Sequence, residues 1–316
     1  MAMERFALIT TVCLNPSIDH MIAVDGLVCG GLNRVRASRF DAGGKGLNVA
    51  VAVSALGGEA ECVGFLDRES ARLFETRLRK SGAGYDFIWR KAPTRTNLKV
   101  FDRSCGVVTE FNAPGEAVSE EEIGRMSELI AHRARRADVL VLSGSMPPAC
   151  PANYYAGVIR AVAGEKCLCV LDADGAPLRE GIEARPWLIK PNRAELEALV
   201  GRPLPGATDV RDAAREIVAR GVGVVAVSLG ADGALIADAR EAFFAPPLKI
   251  AVRSTVGAGD CMVAGLVCGF SAGKDLREAF SMGVAAASAM CMTDGSEPPA
   301  RGDFEALLQT VHTERI

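Results

Sequence analysis

Short apolar runs alternate with helix-like segments along most of this 316-residue chain, and that alternation constrains its fold more than any other feature. Apolar runs of roughly four to eight residues bounded by turn signals are typical of buried strands. The expected strands are Ala7–Cys13, Glu61–Phe65, Val139–Ser143, Cys167–Asp172, Trp187–Lys190 and Val224–Leu229. The expected helices are Gly46–Leu56, Glu69–Ser81, Glu120–Ala137, Asn153–Ala163, Ala194–Val200, Val210–Arg220, Asp260–Ser271 and Leu276–Met292. The pattern predicts an α/β fold with a mostly parallel sheet and helices on both faces.

Two segments break this alternation. Ile18–Phe40 and Asn97–Phe111 have the pattern of short strands with turns, and neither is followed directly by a helix. They are expected to pair into a small sheet beside the main one. Because no repeat or long linker divides the chain, residues 1–316 are expected to form a single domain, with strands inserted from about 15–40 and 95–112.

Two helices carry start signals. Ser119 precedes three glutamates, and the pair Ser119 and Glu122 has the spacing of a capping box. Thr208 or Asp209 is the expected cap of the helix that runs through Arg220.

Composition excludes several classes of partner. A formal net charge of −3 gives no reason to expect nucleic acid or an anionic membrane as a partner. No apolar run approaches the roughly 18 residues that a membrane-spanning helix needs. The ten cysteines include no CxxC pair and the chain has only three histidines, so a zinc-finger framework is absent. Reduced, buried thiols in a cytoplasmic protein are expected.

The most informative motif is Ser254-Thr-Val-Gly-Ala-Gly-Asp260, which leads into an apolar helix. Its small residues let the backbone approach a ligand, and the N–H groups of a helix start bind anions. An aspartate at this point can accept a proton from a hydroxyl group. A glycine turn with Asp260 as an ordinary N-cap explains residues 257–260 equally well. The motif is neither a Walker A loop nor a GxGxxG fingerprint.

Three further segments are weak signals when each is taken alone. Asp41–Ala50 is a glycine loop that enters a helix, and Ser228–Ala234 is a strand followed by a glycine turn. Lys190–Glu195 ends an apolar strand, which is the usual ligand-binding edge of an open α/β sheet. Pro191 can equally be turn punctuation, and Glu195 an acid favoured by the helix dipole.

Together, in this order and spacing, these four segments resemble the PfkB/ribokinase family of carbohydrate kinases over about the whole chain. The matching patterns are GGKGxNVA, NxxE, SLGxxG and GAGD. The likeness extends to Leu14–Asp19, Thr94–Asn97, Phe111–Gly115 and Ser143–Pro148, which look most like the phosphosugar branch. The resemblance implies a three-layer Rossmann-like (ribokinase-like) fold with a small β-sheet lid, through which many members form homodimers.

The resemblance also implies roles for individual residues. Asp260 would be the catalytic base, and the N–H groups of Gly257, Ala258 and Gly259 would form the anion hole. Substrate-binding residues would be Asp19, Arg34, Gly44, Lys45, Asn48, Arg95 and Lys99, with Arg34, Lys45 and Arg95 facing the substrate phosphate. Nucleotide-binding residues would be Lys190, Asn192, Ser228, Gly230, Gly233 and Thr255. Glu195 and Asn192 would organise Mg²⁺ through water beside ATP.

The implied activity is ATP-dependent phosphorylation of a small-molecule sugar phosphate. Asn112–Gly115 and Arg253–Gly257 favour fructose 1-phosphate over tagatose 6-phosphate and fructose 6-phosphate. A ribokinase-type sugar kinase and a non-catalytic sugar-phosphate sensor are the alternatives, while a dinucleotide oxidoreductase lacks its GxGxxG after the first strand. Two departures from the family pattern are Cys261, where Ser or Thr is usual, and Asp172-Ala-Asp-Gly175, where Asp-Ser/Thr-Ser-Gly is usual.

Overall fold

The computed structural model describes residues 7–293 and 297–316. Over these ranges the strands are β1 Leu8–Cys13, β2 Ser17–Val24, β3 Ala37–Gly43, β4 Glu59–Asp67, β5 Gly84–Arg90, β6 Arg95–Asp102, β7 Val107–Phe111, β8 Val139–Ser143, β9 Leu168–Asp172, β10 Leu188–Ile189, β11 Val224–Ser228, β12 Ala234–Ala237, β13 Ala242–Ala245 and β14 Glu314–Arg315. The helices are α1 Lys45–Ala55, α2 Ala71–Ser81, α3 Glu120–Ala134, α4 Tyr154–Val162, α5 Gly175–Glu183, α6 Arg193–Val200, α7 Ala207–Ala219, α8 Ala258–Ser271, α9 Leu276–Cys291 and α10 Arg301–Leu308. None of these described helices is long and apolar enough to cross a membrane.

The larger sheet has the strand order β14-β13-β12-β11-β10-β9-β8-β1-β4-β5. Neighbours from β11 to β5 are parallel, and β12, β13 and β14 add an antiparallel edge. This confirms the predicted α/β class with a mostly parallel sheet. Since parallel strands end at the same edge, the segments that follow β1, β8, β9, β10 and β11 lie side by side there.

Two apolar layers cover the two faces of this sheet. One layer is built with α1, α2, α8, α9 and α10, and contains the fully buried Phe74 and Phe280. The other is built with α3, α4, α5, α6 and α7, and contains Tyr155 and Met126. Strand residues alternate between the layers, as Val141 and Leu142 of β8 do. The central strands are therefore buried on both faces, which explains their nearly continuous apolar sequences.

The smaller sheet, called the lid below, has the order β3-β2-β6-β7 and confirms the predicted second sheet. Strand β2 pairs in parallel with β6, and this register places Asp19 beside Asn97. Strand β6 pairs antiparallel with β7, which places Lys99 opposite Glu110. Side chains on one face of the lid therefore point together, and Asp19, Asn97, Lys99 and Glu110 all line the cavity described below.

The sequence patterns missed several elements. Strand β5, the short strands β12 to β14, and helices α5 and α10 were not expected. Pro177 lies in the first turn of α5, where proline is tolerated. The edge strands have only two to four residues and are too short to show a period.

Of the two expected helix caps, one is confirmed and one is wrong. The capping box of Ser119 is confirmed, with the N–H of Glu122 donating to Ser119 Oγ at 3.2 Å. The prediction that Thr208 or Asp209 caps α7 was wrong, because Gly206 is the N-cap. Asp209 is instead the third residue of the helix, and its carboxylate accepts a hydrogen bond from the N–H of Gly206 at 3.0 Å.

Candidate active site

A cavity of about 890 Å³ lies at the carboxyl ends of the parallel strands, beneath the lid. Most residues singled out from the sequence line it: Asp19, Gly44, Lys45, Asn48, Arg95, Lys99, Lys190, Asn192, Glu195, Ser228, Thr255, Gly257, Gly259 and Asp260. Arg34, Ala258, Gly230 and Gly233 are outside this lining. The four motifs, distant in sequence, therefore meet around one space.

Asp260 is a buried carboxylate at the start of α8. Gly257 is the N-cap of this helix, with φ of 82°, so the alternative in which Asp260 merely caps the helix was wrong. The side chain is 5% exposed, and its Oδ2 accepts a hydrogen bond from Asn48 Nδ2 at 2.7 Å. Burial and, after it, the charge of Asp172 raise the pKa of Asp260 to about 6, against the opposing effect of Lys45. A carboxyl with this pKa is ionised at neutral pH and can accept a proton there.

The first turn of α8 presents backbone N–H groups to the same space. Gly259 lines the cavity, and a methyl group placed on it would lie 3.3 Å from Nζ of Lys190. Its lack of a side chain lets an ammonium group approach the helix start. The N–H of Ala258, by contrast, donates to the carbonyl oxygen of Thr255 at 3.3 Å. The region combines helix-start N–H groups, which have no acceptor within the helix, with a cation, and this combination suits an anion.

Asp172 joins two lysines in front of this helix. Its Oδ1 lies 3.5 Å from Nζ of Lys45 and 3.4 Å from Nζ of Lys190, and its Oδ2 accepts a hydrogen bond from Ser143 Oγ at 3.2 Å. Burial acts to raise the pKa of Asp172, but Lys190 and Lys45 hold it below its usual value. Asp172 in turn holds the pKa of Lys45 above its usual range. Lys45 was expected at the substrate phosphate, and in the structure it contacts Asp172. The sequence analysis named Asp172 only within a segment that departs from the family pattern.

On the lid side, Asp19 is held by three donors. Lys99 Nζ donates to it at 2.8 Å, Ser17 Oγ at 2.8 Å and Asn97 Nδ2 at 3.2 Å. Asp19 and Lys99 are both less than 10% exposed, so each neutralises the other in a buried position. Asn97 was not singled out as a site residue, although its position one strand away from Asp19 follows from the β2–β6 register.

Arg95 lines the cavity, but its guanidinium is directed mainly to backbone carbonyls. Nη1 donates to the oxygen of Ala113 at 2.7 Å, and Nη2 donates to that of Asn15 at 2.9 Å. Arg95 therefore ties together the segments that enter and leave the lid. Arg34, the other arginine expected at the phosphate, lies exposed between β2 and β3, away from the lining.

Asn192 and Glu195 form the capping box of α6, and both line the cavity. The N–H of Glu195 donates to Asn192 Oδ1 at 2.9 Å, and Glu195 Oε2 accepts from the N–H of Asn192 at 2.8 Å. Residues 7–293 and 297–316 hold no cluster of three or more Asp, Glu, His or Cys suited to a metal. Mg²⁺ is commonly held by one or two carboxylates together with substrate phosphates, so this pair of oxygen-bearing side chains fits it.

The turn after β11 has a structural reason for its glycines. Gly233 has φ of 97°, and a methyl group on it would collide with the carbonyl oxygen of Ala245. Ser228 reaches the cavity, whereas Gly230 and Gly233 shape the turn behind it.

Cys261 follows the buried aspartate but is not a reactive thiol. The side chain is 3% exposed, and burial raises its pKa far above the usual range, with Asp260 adding to the effect. A thiol that stays protonated is a poor nucleophile and oxidises slowly. Cys261 therefore packs as a small apolar side chain in this structure.

Comparison with known proteins identifies the family of this chain. The model of the pfkB family carbohydrate kinases matches residues 13–301. A 1-phosphofructokinase of Rhodobacter capsulatus is 38% identical over 309 residues, which cover 98% of each chain. The structure of phosphofructokinase-2 from Escherichia coli in complex with substrates and products has a TM-score of 0.91 and 32% identity, covering 96% of this chain and 99% of that one.

A ribokinase from Thermotoga maritima is a more distant match, with a TM-score of 0.78 and 27% identity, covering 96% of this chain and 100% of that one. The fold agrees with these two solved structures. Asp260 of the GAGD motif lines the cavity, in the first turn of α8. The chain therefore belongs to the pfkB family of carbohydrate kinases.

Proposed function

We propose that this chain transfers the γ-phosphoryl group of ATP to fructose 1-phosphate, giving fructose 1,6-bisphosphate. The observation that carries the proposal is Asp260, a carboxylate buried at a helix start, with a pKa near 6 on which the charges of Lys45 and Lys190 act. As a family member it is an ATP-dependent sugar-phosphate kinase. The choice of fructose 1-phosphate rests on the curated relatives of that specificity, at 32–38% identity over most of the chain.

In this proposal the sugar lies between the lid and Asp260. The carboxylates of Asp19 and Asp260 take hydroxyl groups of the sugar, and Asp260 accepts the proton of the hydroxyl that attacks. The N–H groups at the start of α8, together with Lys190, stabilise charge on the transferring group. Mg²⁺ bound beside Asn192 and Glu195 would neutralise negative charge on the ATP phosphates. The whole chain acts as one kinase domain with the lid inserted into it.

A substrate panel tests the proposal. With ATP and Mg²⁺, we expect the highest kcat/KM for fructose 1-phosphate, by about tenfold or more over fructose 6-phosphate and tagatose 6-phosphate. Unphosphorylated fructose and ribose are included as controls. A preference for either of those two sugars would establish a ribokinase-type enzyme instead, and sugar-phosphate binding without turnover would establish a sensor.

We also propose that two copies of the chain pair through their lids. Of the large apolar side chains that are exposed in the described residues, most belong to the lid strands or the loop between β2 and β3: Val28, Leu32, Val35, Phe40, Val107, Val108 and Phe111. Such a concentration marks an interaction surface. Arg34 lies within this set, so pairing would cover it. A cytoplasmic location is proposed on the dependence on ATP and the ten free cysteines.

The pairing is tested by matched substitutions at two exposed leucines. Leu32, in the lid loop, is 78% exposed, whereas Leu168 is 38% exposed at the start of β9, at the opposite end of the large sheet. We expect sedimentation to give twice the chain mass of 33.2 kDa for the parent and for Leu168→Asp. Leu32→Asp should shift the protein toward monomer, because a buried unpaired charge at an interface costs several kcal/mol. A monomeric parent, or a Leu32→Asp dimer of unchanged affinity, would rule out pairing through the lid.

A further inference from the structure

Asp172 is the most buried ionisable group of the cavity that has no role so far. It is the last residue of β9 and is 1% exposed. A single oxygen, Oδ1, faces both ammonium groups, at 3.4 Å from Lys190 and 3.5 Å from Lys45. Lys45 opens α1 and Lys190 follows β10, so the carboxylate connects two elements that are far apart in sequence.

Fold stability does not explain this cluster. Replacing a buried ion pair by apolar side chains of similar volume is often neutral or stabilising, so buried charges are poor stabilisers. Lys190 is only 5% exposed, and Lys45 carries a like charge, so the two ammonium groups would repel each other without a shared anion. Asp172 is the shared anion that offsets the charge of the buried Lys190 and of Lys45, whose side chain is 39% exposed.

Both lysines face the space where the chemistry is proposed to occur. Nζ of Lys190 lies beside Gly259 in the first turn of α8, at 3.3 Å from the position of a methyl group on that glycine. Lys45 is one turn from Asn48, which holds Asp260 Oδ2 at 2.7 Å. Both line the cavity in front of Asp260. Each ammonium has three N–H donors, so contact with Asp172 leaves others for a ligand.

We propose that Asp172 is a positioning residue: it holds the ammonium groups of Lys45 and Lys190 around the space through which the phosphoryl group passes to the sugar. The inference rests on the proposed function. It changes the role assigned to Lys45: instead of binding the phosphate that the sugar already carries, Lys45 contacts the phosphoryl group that is being transferred. Catalysis of phosphoryl transfer depends mainly on placed positive charge, so a loss of placement lowers turnover more than binding.

Asp172 also acts on the base. The charged groups that face Asp260 are Asp172 from β9, Lys45 from α1 and Lys190 after β10, with Arg77 of α2 further away and the neutral thiols of Cys13 and Cys261 nearby. After burial, Asp172 is the largest influence that raises the pKa of Asp260, whereas the two lysines lower it. Removing the charge of Asp172 while both lysines remain therefore lowers the pKa of Asp260.

The test compares Asp172→Asn with Asp174→Asn. Asp174 is an exposed carboxylate of the same cavity and forms no ion pair with either lysine within 4.0 Å in the described structure. In Asp172→Asn we expect kcat at pH 8 to fall about tenfold or more, with smaller changes in both KM values. The acidic limb of the kcat/KM profile should move to lower pH by about one unit. In Asp174→Asn that limb should stay where it is in the parent.

An unchanged kcat, or a loss of kcat with an unmoved acidic limb, would overturn the inference, since a purely structural role leaves the pKa of Asp260 alone. A crystal structure of Asp172→Asn gives a second measure that does not depend on the sugar: both Nζ atoms should be displaced, and unmoved lysines would also overturn it. Failure of the proposed function appears separately, as inactivity of the parent on the substrate panel.

If Asp172→Asn does not fold, Asp172→Glu replaces it. This variant keeps the charge but moves the carboxylate by one methylene group. It should displace the lysines and lower kcat about tenfold, with the acidic limb near that of the parent. A parental kcat and parental lysine positions in this variant would overturn the inference.

Discussion

Asp260→Asn is expected to lose at least about a hundredfold in kcat while ATP binding stays nearly intact. General-base catalysis typically contributes ~10²–10⁴-fold, and an amide cannot accept the proton of the sugar hydroxyl. The hydrogen bond from Asn48 Nδ2 can persist, because asparagine keeps one carbonyl oxygen. Turnover and calorimetric ATP affinity of the same preparation measure the two effects, and near-parental turnover would falsify the assignment of Asp260 as base.

The same substitution is expected to stabilise the fold above pH 6. The pKa of Asp260 is about 6 in the folded protein against an ordinary 3.8, so the folded state retains a proton that the unfolded state loses between these values. Stability therefore falls as pH rises from about 4 to about 6, and the loss persists at higher pH. Two pKa units correspond to a gain in stability of at most about 3 kcal/mol. The gain is reduced by the attraction that Lys45 and Lys190 lose when the charge of Asp260 is removed. Urea unfolding of both proteins at pH 4 and pH 8 should show the difference only at pH 8.

The site residues that could be predicted from the sequence are those whose type and position are typical of a binding site rather than of an apolar core. GAGD and GGKG combine glycines with polar residues, and NxxE contributes two polar residues, all at strand ends or helix starts beside apolar runs. The cavity indeed brings Asp260, Lys45 and Asn192 together. The alternation of apolar runs likewise predicted the sheet, because a strand buried on both faces must be apolar throughout.

The hydrogen-bond and ion-pair partners of the site residues could not be predicted from the sequence. Arg95 was expected at a phosphate, yet its donors reach the carbonyl oxygens of Asn15 and Ala113, in loops that only the completed fold brings to it. Lys45 was placed with the sugar phosphate, yet it contacts Asp172 from a strand more than a hundred residues later. Side-chain type restricts the kind of partner, whereas strand order and loop path determine which one is near.

The pairing of Asp19 with Lys99 allows stability and substrate binding to be separated. In Lys99→Met the carboxylate of Asp19, whose side chain is 12% exposed, keeps its bonds from Ser17 and Asn97. Breaking a buried ion pair from one side costs about 3–5 kcal/mol, because it leaves an uncompensated charge. We therefore expect the free energy of unfolding of Lys99→Met, measured in urea at pH 7, to fall by about this amount.

The double variant Asp19→Asn/Lys99→Met is the matched control. With both charges removed, most of the stability should return, since two neutral groups carry no ionic desolvation cost, and the cycle of single and double variants gives the coupling energy. The sugar affinity should not return, because the proposed hydroxyl ligand is the carboxylate of Asp19 itself. If stability and the KM for the sugar phosphate recover together, the pair serves the lid alone. If Lys99→Met loses no stability, the buried ion pair at 2.8 Å contributes no more to the free energy of unfolding than an exposed ion pair does.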